Sequence, residues 1–117
     1  MLDEINLTIG RKIYMAHIKE VTTDEVEEML HKESDVILID VREDEEVAQG
    51  MIEGALHIPL NQIPEKAESL DKTKEYILVC RSGARSLNAA LYMEEKGFHV
   101  SNMVGGMLDW NGEVIIK

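Results

Sequence analysis

The sequence predicts an α/β fold, a single domain with a central, mostly parallel sheet of about five strands and helices on both faces. Two observations predict it. Val36-Ile37-Leu38-Ile39 and Tyr76-Ile77-Leu78-Val79 are short runs of unbroken hydrophobicity, which marks strands buried on both faces. Segments with helical spacing of apolar residues lie between and around those runs. The length of 117 residues suits one domain and is too short for two.

Taken in chain order, residues 1–17 fit neither the strand nor the helix period. They are an N-terminal extension of uncertain structure ahead of a domain spanning 18–117. Thr22-Thr23-Asp24-Glu25 opens a helix, because Thr22 and Glu25 have capping-box spacing and Val26, Met29 and Leu30 share one face. After the first apolar run, residues 43–49 read as a short acidic helix closed by Gly50. Residues 63–70 form a further short helix or turn with Pro64 near its start. Past the second run, residues 86–96 give the clearest helix, with Leu87, Ala90, Leu91 and Met93 periodic and Gly97 as its stop. Residues 98–103 read as another strand, followed by a Gly105-Gly106 turn and one helical turn over residues 107–110.

Composition narrows the function. Twelve basic against 23 acidic residues give a net charge of −11, which repels phosphate backbones and anionic lipid. Nucleic acid and membrane surface are therefore excluded as partners. A small anionic substrate is not excluded, because a local nest of backbone N–H groups outweighs distant surface charge. Cys80 is the one cysteine, so no internal disulfide forms and a reducing compartment is expected. The acidic start Met1-Leu2-Asp3-Glu4 lacks the basic and apolar regions of a secretory signal, and the apolar runs are strand-sized. A soluble, cytoplasmic domain is expected. His17, His31, His57 and His99 are scattered without ligand spacing, so no metal is expected.

The chemistry concentrates in Cys80-Arg81-Ser82-Gly83-Ala84-Arg85-Ser86, where the second buried strand passes into the clearest helix. In parallel α/β sheets ligands bind beyond the carboxyl ends of the strands. A loop curling there aims successive N–H groups inward, and the helix dipole adds positive charge at the same point. Gly83 permits the backbone angle of a tight loop. Arg81 and Arg85 bracket the sulfur, a setting that lowers a cysteine pKa from ~8.5 into the range of roughly 3.5–7.5. A cysteine closing an apolar strand is by itself more often an inert core residue. The combination of strand end, loop glycine, two arginines and following helix is what favours function.

Four segments together resemble single-domain rhodaneses, the thiosulfate:cyanide class of sulfurtransferase. Asp40-Val41-Arg42-Glu43, with Glu46 beyond it, is similar to the family's strand-end motif. Residues Gly50-Met51-Ile52-Glu53-Gly54-Ala55-Leu56-His57-Ile58-Pro59 resemble its glycine- and proline-bearing segment. Cys80 to Ser86 resembles its active-site loop, and Val104-Gly105-Gly106-Met107-Leu108-Asp109-Trp110 its closing motif. The resemblance covers roughly residues 18–112. Met51 stands where the family often has His, Glu53 where it has Pro, and Val47 where an aromatic is common. None of the three lies in the cysteine loop.

The resemblance implies a rhodanese-like fold and a sulfur-transfer reaction. In the family a thiolate takes the outer sulfur of a donor such as thiosulfate, and a second nucleophile removes it from the resulting persulfide. Carried onto this chain, Cys80 is catalytic, and Arg81, Ser82, Gly83, Ala84, Arg85 and Ser86 bind substrate. The arginine side chains meet an anionic donor only if they turn inward; otherwise they are solvated. Asp40 and Arg42, with Glu46 four residues on, read as a structural ion pair bracing the neighbouring turn, and residues 43–46 as a solvated helix face. No cofactor is implied. With a single cysteine, the sulfur must pass to an external thiol or a thioredoxin-like acceptor. Two other classes remain: a non-catalytic sulfur-carrier or regulatory module, and a cysteine-dependent phosphatase. The loop places four residues between Cys80 and Arg85, one fewer than the phosphatases that resemble this fold.

Overall fold

The structure, a computed structural model, describes residues 18–116. The extension expected over residues 1–17 lies outside them. Five strands form one sheet: β1 (Lys19–Val21), β2 (Ile37–Asp40), β3 (Leu56–His57), β4 (Glu75–Val79) and β5 (His99–Met103). Four α-helices alternate with them: α1 (Thr23–His31), α2 (Asp44–Val47), α3 (Ile63–Lys66) and α4 (Ala84–Glu95). The strand order is β1-β5-β4-β2-β3, and every strand pair in it is parallel. The two continuous apolar runs are thus two of the three inner strands, β2 and β4, as their hydrophobicity predicts. A single antiparallel bridge, Met51 to Ile115, ties the end of the described chain back to the loop after α2.

Side chains alternate across β4. Tyr76 and Leu78 join Ile39, Ile63, Ala67, Ala89, Ala90 and Met93 in the core layer under α3 and α4. Ile77 and Val79 join Val26, Leu38 and Met103 in the layer under α1. Helices therefore cover both faces. The layer under α1 depends on a well-capped helix: the Thr22 hydroxyl accepts from the Glu25 amide at 3.1 Å, and the Glu25 carboxylate accepts from the Thr22 amide at 2.8 Å. Among the described residues, no helix is long and apolar enough to cross a membrane.

Three elements differ from expectation. The last helix starts at Ala84 rather than Ser86, because Gly83 at φ 106° turns the chain directly into it. Ala84, Arg85 and Ser86 of the cysteine loop are consequently the first turn of the helix. The edge strands β1 and β3 have no clear pattern in the sequence, being only three and two residues long.

Candidate active site

Cys80 follows the last residue of β4 and is buried. Its sulfur accepts a hydrogen bond from the Gly83 amide at 3.0 Å and lies 3.2 Å from the Ser86 hydroxyl oxygen. Ser86 is in turn 2.5 Å from the Asn102 side-chain oxygen, and the Asn102 amide donates to the Gly83 carbonyl at 3.1 Å. Burial pushes the Cys80 thiol up. Hydrogen bonds from the Ser86 hydroxyl and from the amides of Ser86, Gly83 and Ser82 outweigh that and hold the pKa below its ordinary value. The lowered pKa was expected from inward amides, the helix start and the flanking arginines together; the amides and the Ser86 hydroxyl are its causes, and the arginines are not among them.

The arginines explain why. Arg85 closes bidentately on Glu46, at 2.7 and 2.8 Å. Glu46 is held for this by the first turn of α2, where its carboxylate also accepts from the Glu43 amide at 2.9 Å. The pair drives Glu46 from 4.5 to about 2, the Arg85 hydrogen bond being the largest cause, and raises Arg85. The charge of Cys80 adds to the rise of Arg85, but less than Glu46 does. Residues 43–45 are the solvated face that was expected; Glu46 leaves it to cross to α4. Arg81, by contrast, is exposed. It lines an open cleft of about 450 Å³ with Arg42, Glu46, Met107, Leu108 and Val114. Of the other loop residues, Ser82 and Ala84 are exposed and Ser86 is buried beneath the sulfur.

Two neighbouring motifs brace this loop. The closing Gly105-Gly106 turn packs against its base, where the Met107 amide donates to the Cys80 carbonyl at 2.9 Å and the Leu108 amide to the Arg81 carbonyl at 3.0 Å. Those carbonyls are thus engaged by the turn, while the Gly83 amide is engaged by the sulfur. A Cβ on Gly106 would overlap the carbonyl of Arg81 and sit 2.6 Å from that of Cys80, so only glycine allows the approach. Behind the loop, Asp40 and Arg42 form a buried ion pair at 2.9 Å, and Arg42 also donates to the Gly50 carbonyl at 2.8 Å. His57 Nε2 donates to the Arg42 carbonyl at 2.7 Å. The ion pair expected at this turn is present; Arg42 pairs with Asp40 while Glu46 serves Arg85.

Sequence reasoning missed Asn102 and the part Gly106 plays. Asn102 carried one faint signal, an uncharged polar residue inside an otherwise strand-like run.

Comparison with known proteins agrees with this architecture. A family model described as a rhodanese-like domain matches residues 22–113. The Bacillus subtilis protein YtwF, which carries a sulfurtransferase name, is 53% identical over 96 residues, covering 82% of this chain and 93% of that one. The thiosulfate sulfurtransferase GlpE of Coxiella burnetii is 32% identical over 82 residues, covering 69% of this chain and 77% of its own. Among solved structures, a rhodanese-like domain protein from Staphylococcus aureus superposes with a TM-score of 0.80 at 39% identity, over 86% of this chain and 99% of that one. The match runs from α1, through the cysteine loop, past the turn that ends at Trp110, and the chain belongs to the rhodanese-like domain family, with sulfurtransferases among its relatives.

Proposed function

We propose that the protein is a thiosulfate sulfurtransferase that carries a sulfane sulfur on Cys80 as a persulfide. The observation that supports this best is the sulfur at the N-terminus of α4, held by the Gly83 amide at 3.0 Å with Ser86 beside it. That setting stabilises a thiolate without any histidine base. The thiolate attacks the outer sulfur of thiosulfate. A sulfur–sulfur bond forms to Cys80, the bond inside thiosulfate breaks, and sulfite leaves with its electron pair. Loop amides then face the negative charge of the persulfide. An external thiolate attacks the outer sulfur, and Cys80 departs as a thiolate, which the lowering of its pKa makes a better leaving group.

Arg81 is the residue to meet the donor, since it is exposed on the cleft while Arg85 is engaged by Glu46. The name of the Coxiella burnetii relative supports thiosulfate as donor. An external small thiol or thioredoxin-like acceptor suits a reducing, cytoplasmic setting and a chain with one cysteine. The short loop argues against phosphatase chemistry, because a phosphate monoester needs donors for three non-bridging oxygens and this nest closes on the sulfur itself.

The test is intact mass after thiosulfate. The protein is expected to gain one sulfur atom, to lose it to cyanide or a thiol, and to release no product from an aryl phosphate. Cys80→Ser is expected to gain nothing and to keep its fold. Turnover in that variant at a tenth of the unsubstituted protein would overturn the mechanism.

A further inference from the structure

The Ser86 hydroxyl sits between two acceptors and has one proton. Asn102 Oδ1, at 2.5 Å, accepts only, so the proton lies on that line. The orientation of the carboxamide is fixed independently, because its amide group must face the Gly83 carbonyl at 3.1 Å. With its proton so committed, Ser86 turns a lone pair to Cys80 at 3.2 Å and accepts from the neutral thiol. A thiolate has no proton to give. When Cys80 ionises, its proton leaves for solvent, and the hydroxyl must swing from Asn102 to the sulfur. Asn102 Oδ1 is then left facing an oxygen lone pair in a buried site, since Asn102 is 3% exposed and Ser86 0%.

We propose that Asn102 is a positioning residue that competes with Cys80 for the Ser86 proton and so decides whether this hydroxyl accepts from the sulfur or donates to it. The inference rests on the sulfurtransferase reading only for its consequence. Sulfur loading turns the Cys80 sulfur into a neutral, weakly accepting atom with the negative charge one atom further out. The Ser86 proton then returns to Asn102, and the hydrogen bond that ionisation breaks is restored. Competition at Asn102 thus disfavours the bare thiolate relative to both the resting thiol and the loaded persulfide. The charged groups near the sulfur are Arg81 on its own loop, Arg85 on α4 and, through Arg85, Glu46 and Glu43 at α2. Arg42 is closed on Asp40. Neither Ser86 nor Asn102 hydrogen-bonds to any of them among the described residues.

The experiment measures ionisation of Cys80 with no sulfur donor present, by thiolate absorbance and by the pH dependence of alkylation with iodoacetamide. Asn102→Leu frees the Ser86 proton for the sulfur. The thiolate fraction at a pH below the midpoint is expected to rise about fivefold, the worth of one neutral hydrogen bond. Simple loosening of the loop would move the midpoint the other way, because the loop donors would be lost. In a Ser86→Ala background, Asn102→Leu is expected to leave the midpoint where it is. A rise of the midpoint in Asn102→Leu, no change, or an equal effect in both backgrounds overturns the proposal. Should Asn102→Leu fold poorly, the unsubstituted protein still decides it, since the Asn102 side-chain amide resonances must then shift with Cys80 ionisation, and their constancy overturns it. A protein that passes these tests yet takes no sulfur from thiosulfate would refute the sulfurtransferase reading and leave the role of Asn102 standing.

Discussion

Glu46→Gln keeps the shape of the residue that holds Arg85 and removes its charge. Glu46 falls from 4.5 to about 2 in the folded protein. At 1.36 kcal/mol for each pH unit of displacement, that corresponds to about 3 kcal/mol of stabilisation as a ceiling. The two side chains are 29% and 33% exposed, so solvent screens the pair and about 1 kcal/mol is the realistic figure. A carboxylate with a depressed folded pKa stabilises fully above its unfolded value and loses that contribution as pH falls through the folded one. The native protein should therefore lose this increment between about pH 4.5 and pH 2. Glu46→Gln should be less stable at pH 7 by about 1 kcal/mol, a fall in Tm of about 4 °C for a domain of this size. The difference from the native protein should shrink steadily through the acid window. The same substitution frees the Arg85 guanidinium beside the cysteine loop. The KM for thiosulfate should then fall severalfold at low salt, an advantage that disappears as salt screens it. Chemical denaturation at several pH values and steady-state kinetics at two ionic strengths measure both. An unchanged acid limb would refute the assignment of the Glu46 shift to Arg85. A higher KM would mean that Glu46 aims Arg85 at the donor rather than neutralising it.

Other substitutions test the bracing of the loop. Gly106→Ala, at φ 59° and against the Arg81 carbonyl, should cost more than about 2 kcal/mol and abolish sulfur loading, read by melting and intact mass. Arg42→Met leaves the Asp40 carboxylate buried without its charge partner, and should cost about 3–5 kcal/mol by denaturation at neutral pH. Thr22→Ala removes one half of the capping box far from Cys80. It should cost about 1 kcal/mol while leaving the rate of sulfur transfer unchanged.

Two of the three inner strands were legible because burial on both faces leaves residues 37–39 of β2 and 76–79 of β4 in unbroken apolar runs, whereas the third, β5, carries His99, Ser101 and Asn102. Residues 37–39 and 76–79 can only be strands of that kind, and both lie inside the sheet. The edge strands were not, because β1 begins with the exposed pair Lys19-Glu20 and β3 has only Leu56-His57; pairing with β5 and β2, not local pattern, makes them strands. The loop was legible in its identity and in its inward amides, but not in the fate of its second arginine. Nothing near Arg85 in the chain announces that Glu46, 39 residues away, will take its charge.

The absence of the arginines from the causes of the lowered Cys80 pKa sets how the site should behave. A cysteine activated by arginine charges would lose reactivity with added salt, whereas one activated by amides and a hydroxyl would not, because neutral donors are not screened. Its dependence is on backbone shape instead. The donors stay in place while Gly83 keeps its left-handed turn and Gly106 presses on the base of the loop. Each of these residues lies outside the set that charge or nucleophilicity would single out in the sequence. The reactivity of Cys80 is therefore tied to the packing of three separate segments, the end of β4, the turn after β5 and the start of α4, and a change in any of them should reach the sulfur through the geometry of its hydrogen bonds rather than through its charge environment.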